Sequence, residues 1–159
     1  PILADIGPKS LLFNDLIELK TILNKYNLDD ENNKSSTQHF LKSEFLIRQK
    51  KTGDAINELT YLINNYPQSK IAPLAILRIS LLNYKINNFE ESLRFASNLK
   101  NTEFEDRGII LSAHIYELNL SNIDEALKRY MKIINDFPQS VHFEPVRYHV
   151  RKINQGKNI

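Results

Sequence analysis

Four histidines and a few acidic pairs are the residues in this chain best suited to chemistry. The histidines are His39, His114, His142 and His149. A metal pair on a helix needs i, i+3 or i+4 spacing, which none of these pairs has. His142 and His149 stand seven apart across Pro145, with Glu144 between them. A weak surface metal site there competes with the simpler reading of two solvated histidines, and we expect no metal ligands. Asp29-Asp30 and Glu90-Glu91 are adjacent, so on a helix they diverge by about 100° and cannot face one bond. Their structural reading is a loop and a helix N-terminus that favours negative charge. Gly7, Gly53, Gly108 and Gly156 are isolated, which leaves no phosphate-cradling loop, and there is no Gly-x-Ser-x-Gly elbow. Without cysteine there is no thiol nucleophile, zinc ribbon or disulfide framework. The expectation is a protein without catalytic residues or cofactor.

The 159 residues suit one domain or a short repeat array. With 42% apolar and 25% charged residues the composition is globular, and four glycines are too few for a turn-rich β-sandwich. The net charge of +2 does not by itself select nucleic acid. The C-terminal third, residues 107–159, carries +3, much of it from Arg147, Arg151 and Lys152 around Tyr148 and His149. Such a basic helical face suits phosphate or an acidic partner. It also suits the bland role of cations near a helix C-terminus. The longest aliphatic run is four residues, Leu74 to Leu77, so no transmembrane segment is expected. Pro1 to Pro8 lacks the basic start and apolar core of a signal peptide.

Any such face must be positioned by the elements, and these repeat. Tyr66-Pro67-Gln68-Ser69 followed by Pro73 recurs as Phe137-Pro138-Gln139-Ser140 followed by Pro145. Gly53-Asp54-Ala55, Phe89-Glu90-Glu91-Ser92 and Ile123-Asp124-Glu125-Ala126 mark three helix starts, 37 and 34 residues apart. Asp54, Asn88 and Asn122 are expected N-caps. Ile56, Leu59, Leu62 and Ile63 form an i, i+3, i+4 stripe after the first cap, and comparable stripes follow the others. Helices over Thr37–Lys50, Ala72–Ile86 and Glu105–Leu118 are apolar on more than one face, as helices covered on both sides must be. Two further helices flank them, an amphipath over Lys9–Tyr26 and a more polar terminal helix over Val141–Ile153. Asn27–Ser36 reads as a polar loop and Asn154–Ile159 as a frayed tail.

These repeats resemble the tetratricopeptide family. Ser43, Ala55, Leu59, Leu62 and Pro67 match its positions in the first unit, and Ser80, Ser92, Ala96 and Leu99 in the second. Ala113 or His114, Ala126, Tyr130, Ile133 and Pro138 match in the third. His39 and Ile76 stand where the family has an early aromatic residue. In the second unit Asn101-Thr102-Glu103 replaces the closing proline. The Tyr/Phe-Pro-Gln-Ser turns resemble the bacterial envelope subgroup of Tol-Pal-associated and outer-membrane-assembly lipoproteins. The closing stretch resembles the C-terminal part of longer arrays. The resemblance implies an all-α, right-handed α-solenoid of about three helical hairpins with flanking N-terminal and capping C-terminal helices. Residues 1–35 would hold the amphipath and loop, 36–153 the repeats and cap, and 154–159 the tail.

The family binds through a concave face lined by the first helix of each hairpin. Carried over, that face comprises Phe40, Glu44, Ile47 and Arg48, then Leu74, Leu77, Leu81, Tyr84 and Lys85, then Gly108, Leu111, Ile115 and Asn119. Its apolar stripe does not fit the carboxylate clamp of chaperone-binding relatives. An exposed stripe of that kind would be costly in water, so something must cover it. The candidates are a partner's amphipathic helix or extended peptide, the chain's own Lys9–Tyr26 segment, and missing repeats or a second copy. The implied function is non-enzymatic protein–protein scaffolding in a bacterial envelope or membrane-associated assembly, periplasmic or alternatively cytoplasmic. Polyanion or nucleic-acid binding by Arg147, Arg151 and Lys152 is the alternative.

Overall fold

A computed structural model describes Tyr26 and residues 31–156. The expected helix over Lys9–Tyr26, except Tyr26 itself, lies outside the described residues, as do Asn27–Asp30 of the expected loop and the last three residues of the tail. The described residues are all-helical. They form α1 (Glu31–Arg48), α2 (Thr52–Asn65), α3 (Ala72–Lys85), α4 (Phe89–Ser97), α5 (Glu105–His114), a π-helical turn (Ile115–Asn119), α6 (Ile123–Asp136) and α7 (Phe143–Gly156). Each helix packs on the one before it, most closely as the pairs α1–α2, α3–α4 and α5–α6.

One rule closes the turn inside each pair. Lys50, Asn87 and Ser121 adopt positive φ, at 61°, 62° and 51°. The next N–H then reaches back into the helix: Lys51 to the Leu46 carbonyl at 3.0 Å and Asn88 to the Asn83 carbonyl at 2.9 Å. This is a Schellman closure, with Lys50 and Asn87 also bonding Ile47 and Tyr84. In the third pair the span is one residue longer, Asn122 bonding the Tyr116 carbonyl at 2.7 Å. The π turn absorbs that extra residue. Counting back from Leu46, Asn83 and Tyr116 gives Ser43, Ser80 and Ala113, so the small residue at the third crossing is Ala113 and not His114.

All three of those residues are fully buried, as are Ala55, Ser92 and Ala126 on the second helices. Small side chains let the paired helices approach closely. Between pairs, Gly108 has the same role: a Cβ there would sit 2.7 Å from the Ala96 carbonyl oxygen. The turns that join pairs also repeat. Ser69 N–H bonds Tyr66 and Ala72 N–H bonds Ser69; 71 residues later Ser140 bonds Phe137 and Phe143 bonds Ser140, all at 3.0 Å. In that register α7 corresponds to α3, with His149 in the place of Arg78 and Arg151 in the place of Ser80.

The boundaries expected for α1 are corrected. Glu31–Ser36 is helical and not loop. Asn33, Ser36, Thr37, Phe40, Ser43 and Glu44 follow a helical i, i+3, i+4 rhythm and are all buried, although most are polar. Several have hydrogen-bond partners: Asn33 Oδ1 accepts from the Lys70 N–H at 3.1 Å and Ser36 Oγ donates to the Asn33 carbonyl at 2.9 Å, while the buried Thr37 hydroxyl has none. At α2, Lys51 is the N-cap and Asp54 lies within the first turn, so Asp54 is not the cap. Asn88 holds the N-cap position of α4 without a side-chain cap bond. Asn122 is a true cap, its Oδ1 accepting from Glu125 N–H at 3.1 Å. Asn154, Gln155 and Gly156 continue α7.

Candidate partner-binding face

The residues expected to line an open face are mostly enclosed. Phe40, Leu77, Leu111 and Ile115 have no exposed surface, Leu74 and Leu81 retain 1%, and Glu44 5%. Ile47 and Tyr84 are half-buried, while Arg48, Lys85 and Asn119 are exposed. Gly108 faces α4, for the close approach already described. In the third pair Leu111 and Ile115 share the cluster of Leu74, Leu77 and Leu81, whereas Ile110 clusters with Tyr130 and Val146 and the His114 ring lies against Tyr130. Ile110 and His114 are also buried.

Tyr26 sits in the same hydrophobic cluster as Phe40, Leu74, Leu77 and Leu81. It is 4% exposed, and its hydroxyl donates to Glu103 Oε1 at 2.7 Å, just ahead of α5. Burial is the main reason its phenol resists ionisation, and the Glu103 bond reinforces this while Arg107 opposes it. A residue from outside the helix pairs therefore joins this cluster, held close to the start of α5. Nothing in residue type alone marks Tyr26 for that role.

Buried charge links first helices across the pairs. Arg78 Nε donates to Glu44 Oε1 at 2.6 Å, joining α3 to α1. Burial raises the Glu44 carboxyl above its ordinary value although Arg78 pulls it down. His149, in the place of Arg78, approaches both Glu117 oxygens at 3.0 and 2.9 Å, joining α7 to the π turn. Tyr130 donates to Glu117 Oε2 at 2.7 Å. Burial works against ionised Glu117, but the bonds from His149 and Tyr130 outweigh it and lower its pKa. A further link is Ser140 Oγ to Asp106 Oδ2 at 2.6 Å. One charge, Arg78, inside a run that is apolar from Leu74 to Leu82 but for Ser80 was the sequence signal for such a partner.

These groups fasten helices together. The Tyr130 ring packs edge-on against His114 at 6.3 Å and His149 at 5.3 Å, so the histidines are enclosed by the core. The expectation that His142 and His149 are solvated is corrected: both are 8% exposed. Burial lowers the His142 pKa, against the pull of Asp106. His39 lies against Glu58 and the Tyr61 ring, tying α1 to α2. Among the described residues no group of three or more His, Cys, Asp or Glu is placed to hold a metal.

The basic residues keep to the outer side of α7, whose inner side is Val146, His149 and Val150. Arg151 and Lys152 are exposed, and Lys152 Nζ lies 4.8 Å from the centre of the Tyr148 ring. Arg147 is engaged by Glu144 at 3.0 Å. A cleft of about 630 Å³, which the sequence did not suggest, opens between α4, α5 and α6 over Leu93, Ile109 and Tyr116. Its rim charges are largely paired, Arg94 with Glu91 and Arg129 with Glu125. No described helix is long and apolar enough to cross a membrane. Compared with known proteins, the chain matches no family model, no curated protein and no solved structure.

Proposed function

We propose that this chain is a tetratricopeptide-like array that acts as a non-enzymatic scaffold, receiving an amphipathic helix along the side formed by α1, α3 and α5. The observation that carries the reading is the apolar set Phe40, Leu74, Leu77 and Leu81, enclosed together with a residue from outside the pairs, Tyr26. The recurrent turn bonds and buried small crossings support a repeat array. An amphipathic helix suits such a face because i, i+3, i+4 and i+7 anchors match a long apolar stripe. Its place would be a larger bacterial envelope or membrane-associated assembly, a reading supported by the Tyr/Phe-Pro-Gln-Ser turns.

The test is co-purification from the native host with wild type and with Ile47→Asp plus Tyr84→Asp. These half-buried residues border the face and tolerate charge better than its core. Partners should be lost with that variant and kept with Arg147→Ala plus Arg151→Ala. The reverse pattern would favour the second reading, a polyanion held by the exposed basic side of α7. Steep salt dependence that flattens in the arginine variant would accompany it.

A further inference from the structure

The cleft between α4, α5 and α6 arises from small residues at two places in the repeat. With Ala113 in the place of Ser80, Ser112 stands where α3 has Ile79 and Gly108 where it has Ala75. Ile79 has no exposed surface and fills its place. Ser112 lines the cleft instead, its Oγ donating to the Gly108 carbonyl at 2.8 Å. The α4 wall is also short, nine residues where α2 and α6 each have fourteen. The resulting space of about 630 Å³ has the size of a ligand-binding cavity.

Its rim carries opposite charges at its two ends. Most of the lining charges are engaged: Arg94 with Glu91, Arg129 with Glu125, and Glu105 with the Asn101 N–H and Lys132. Glu90 and Lys100 line the cleft, are exposed, and form no ion pair among the described residues. They stand at opposite ends of the α4 wall, about 15 Å apart at helical rise. An extended chain covers that span in about four residues, at about 3.3 Å each plus the reach of its side chains. Between the two charges the floor is Leu93, Ala96 and Ile109.

We propose that this cleft binds an extended peptide segment of a partner protein. An apolar side chain of the segment sits over Ser112, an acidic group meets Lys100, and a basic group about four residues away meets Glu90. Opposite charges at the two ends select this occupant, because an amphiphile with a single charge leaves one end unmatched. The lining shares no residue with the set Phe40, Leu74, Leu77 and Leu81, so this site stands or falls apart from the helix-docking reading.

The test is titration of the isotope-labelled full chain with the peptide acetyl-Lys-Ala-Leu-Ala-Glu-amide. Saturable shifts are expected in the Leu93 and Ile109 methyl signals and in the Lys100 amide. Ser112→Ile, which restores the side chain of the preceding hairpin, should remove those shifts while circular dichroism stays that of the wild type. If that variant does not fold, Lys100→Glu decides alone. This exposed change should weaken the peptide about tenfold or more. A companion peptide with lysine at both ends should bind Lys100→Glu more tightly than it binds the wild type. The proposal is overturned by a wild type without saturable shifts, by equal binding of the two peptides to the wild type, or by undiminished binding to a folded Ser112→Ile variant. Displacement of the peptide by an equal concentration of decanoate would assign the cleft to a small amphipathic anion and overturn it too.

Discussion

Ser80 and Ser92 each donate to the other's backbone carbonyl, Ser80 Oγ to Ser92 O at 2.6 Å and Ser92 Oγ to Ser80 O at 2.8 Å. The reciprocal pair sits where α3 crosses α4, and neither side chain has exposed surface. A hydroxyl is therefore both spacer and clasp there. Ser80→Ala should cost about 1 kcal/mol, the worth of one buried hydrogen bond. Ser80→Leu should cost about 1–3 kcal/mol or more because nothing can move aside cheaply. Urea denaturation of the two single alanine variants and the double variant should show non-additivity, since the sites touch.

Exposed Gly53 and buried Gly108 should respond to alanine with opposite signs. Gly53 has open space around a would-be Cβ, whereas Gly108 has the Ala96 carbonyl at 2.7 Å and Leu99 Cδ1 at 3.0 Å. Gly53→Ala should stabilise by up to about 1 kcal/mol through helix propensity. Gly108→Ala gains the same propensity but must push α4 and α5 apart, so a net loss of about 1–2 kcal/mol is expected. Melting temperatures of the two variants measured side by side check the contrast.

Lys50 and Ser121 hold left-handed backbone without being glycine or asparagine. That conformation costs a side-chain-bearing residue about 1–2 kcal/mol. Lys50→Gly and Ser121→Gly should each stabilise by about 0.5–1 kcal/mol, less than the full strain because glycine is also freer when unfolded. Asn87→Ala, at φ 62°, should destabilise. Chemical denaturation midpoints report all three.

Removing Arg78 takes from the buried Glu44 carboxylate the guanidinium that neutralises it. Arg78→Met should cost about 3–5 kcal/mol, whereas Glu44→Leu with Arg78→Met should recover much of the loss. The comparison of single and double variants in urea decides whether the pair stabilises or merely positions α3 against α1.

Glu117 supplies the pH dependence. Its folded pKa lies below the ordinary 4.5, so its ionised form contributes stability that is complete above about pH 4.5. That contribution disappears as pH falls through the lower folded value. Glu117→Gln should therefore cost about 1–3 kcal/mol at neutral pH and progressively less below pH 4.5. A gap that stayed constant from pH 7 to pH 3 would assign the loss to packing alone.

Much of the helical framework was legible in the chain's punctuation. The starts at Ala72, Phe89, Glu105 and Ile123 agree with the structure, because prolines and asparagines act locally. The first turns of α1 were not legible, because Asn33, Ser36 and Thr37 face inward on a helical period while looking like loop residues. The bond from Lys70, 37 residues away, is one that a reading of the local sequence could not supply. The crossing residue of the third pair was hidden for a different reason. Either Ala113 or His114 satisfied the spacing, and only the π turn after them determines which of the two lies at the crossing. The basic residues of α7 were legible as an outer surface, whereas the inward turn of His149 depended on Glu117, 32 residues distant.

The replacement of Ser80 by Arg151 in the matching register sets a direction for growth. A helix laid over α7 as α4 lies over α3 would meet a guanidinium where its counterpart meets a hydroxyl, and burying that charge is costly. Exchanging Arg151 for serine or alanine would restore at that place the small side chain that lets α3 and α4 approach so closely.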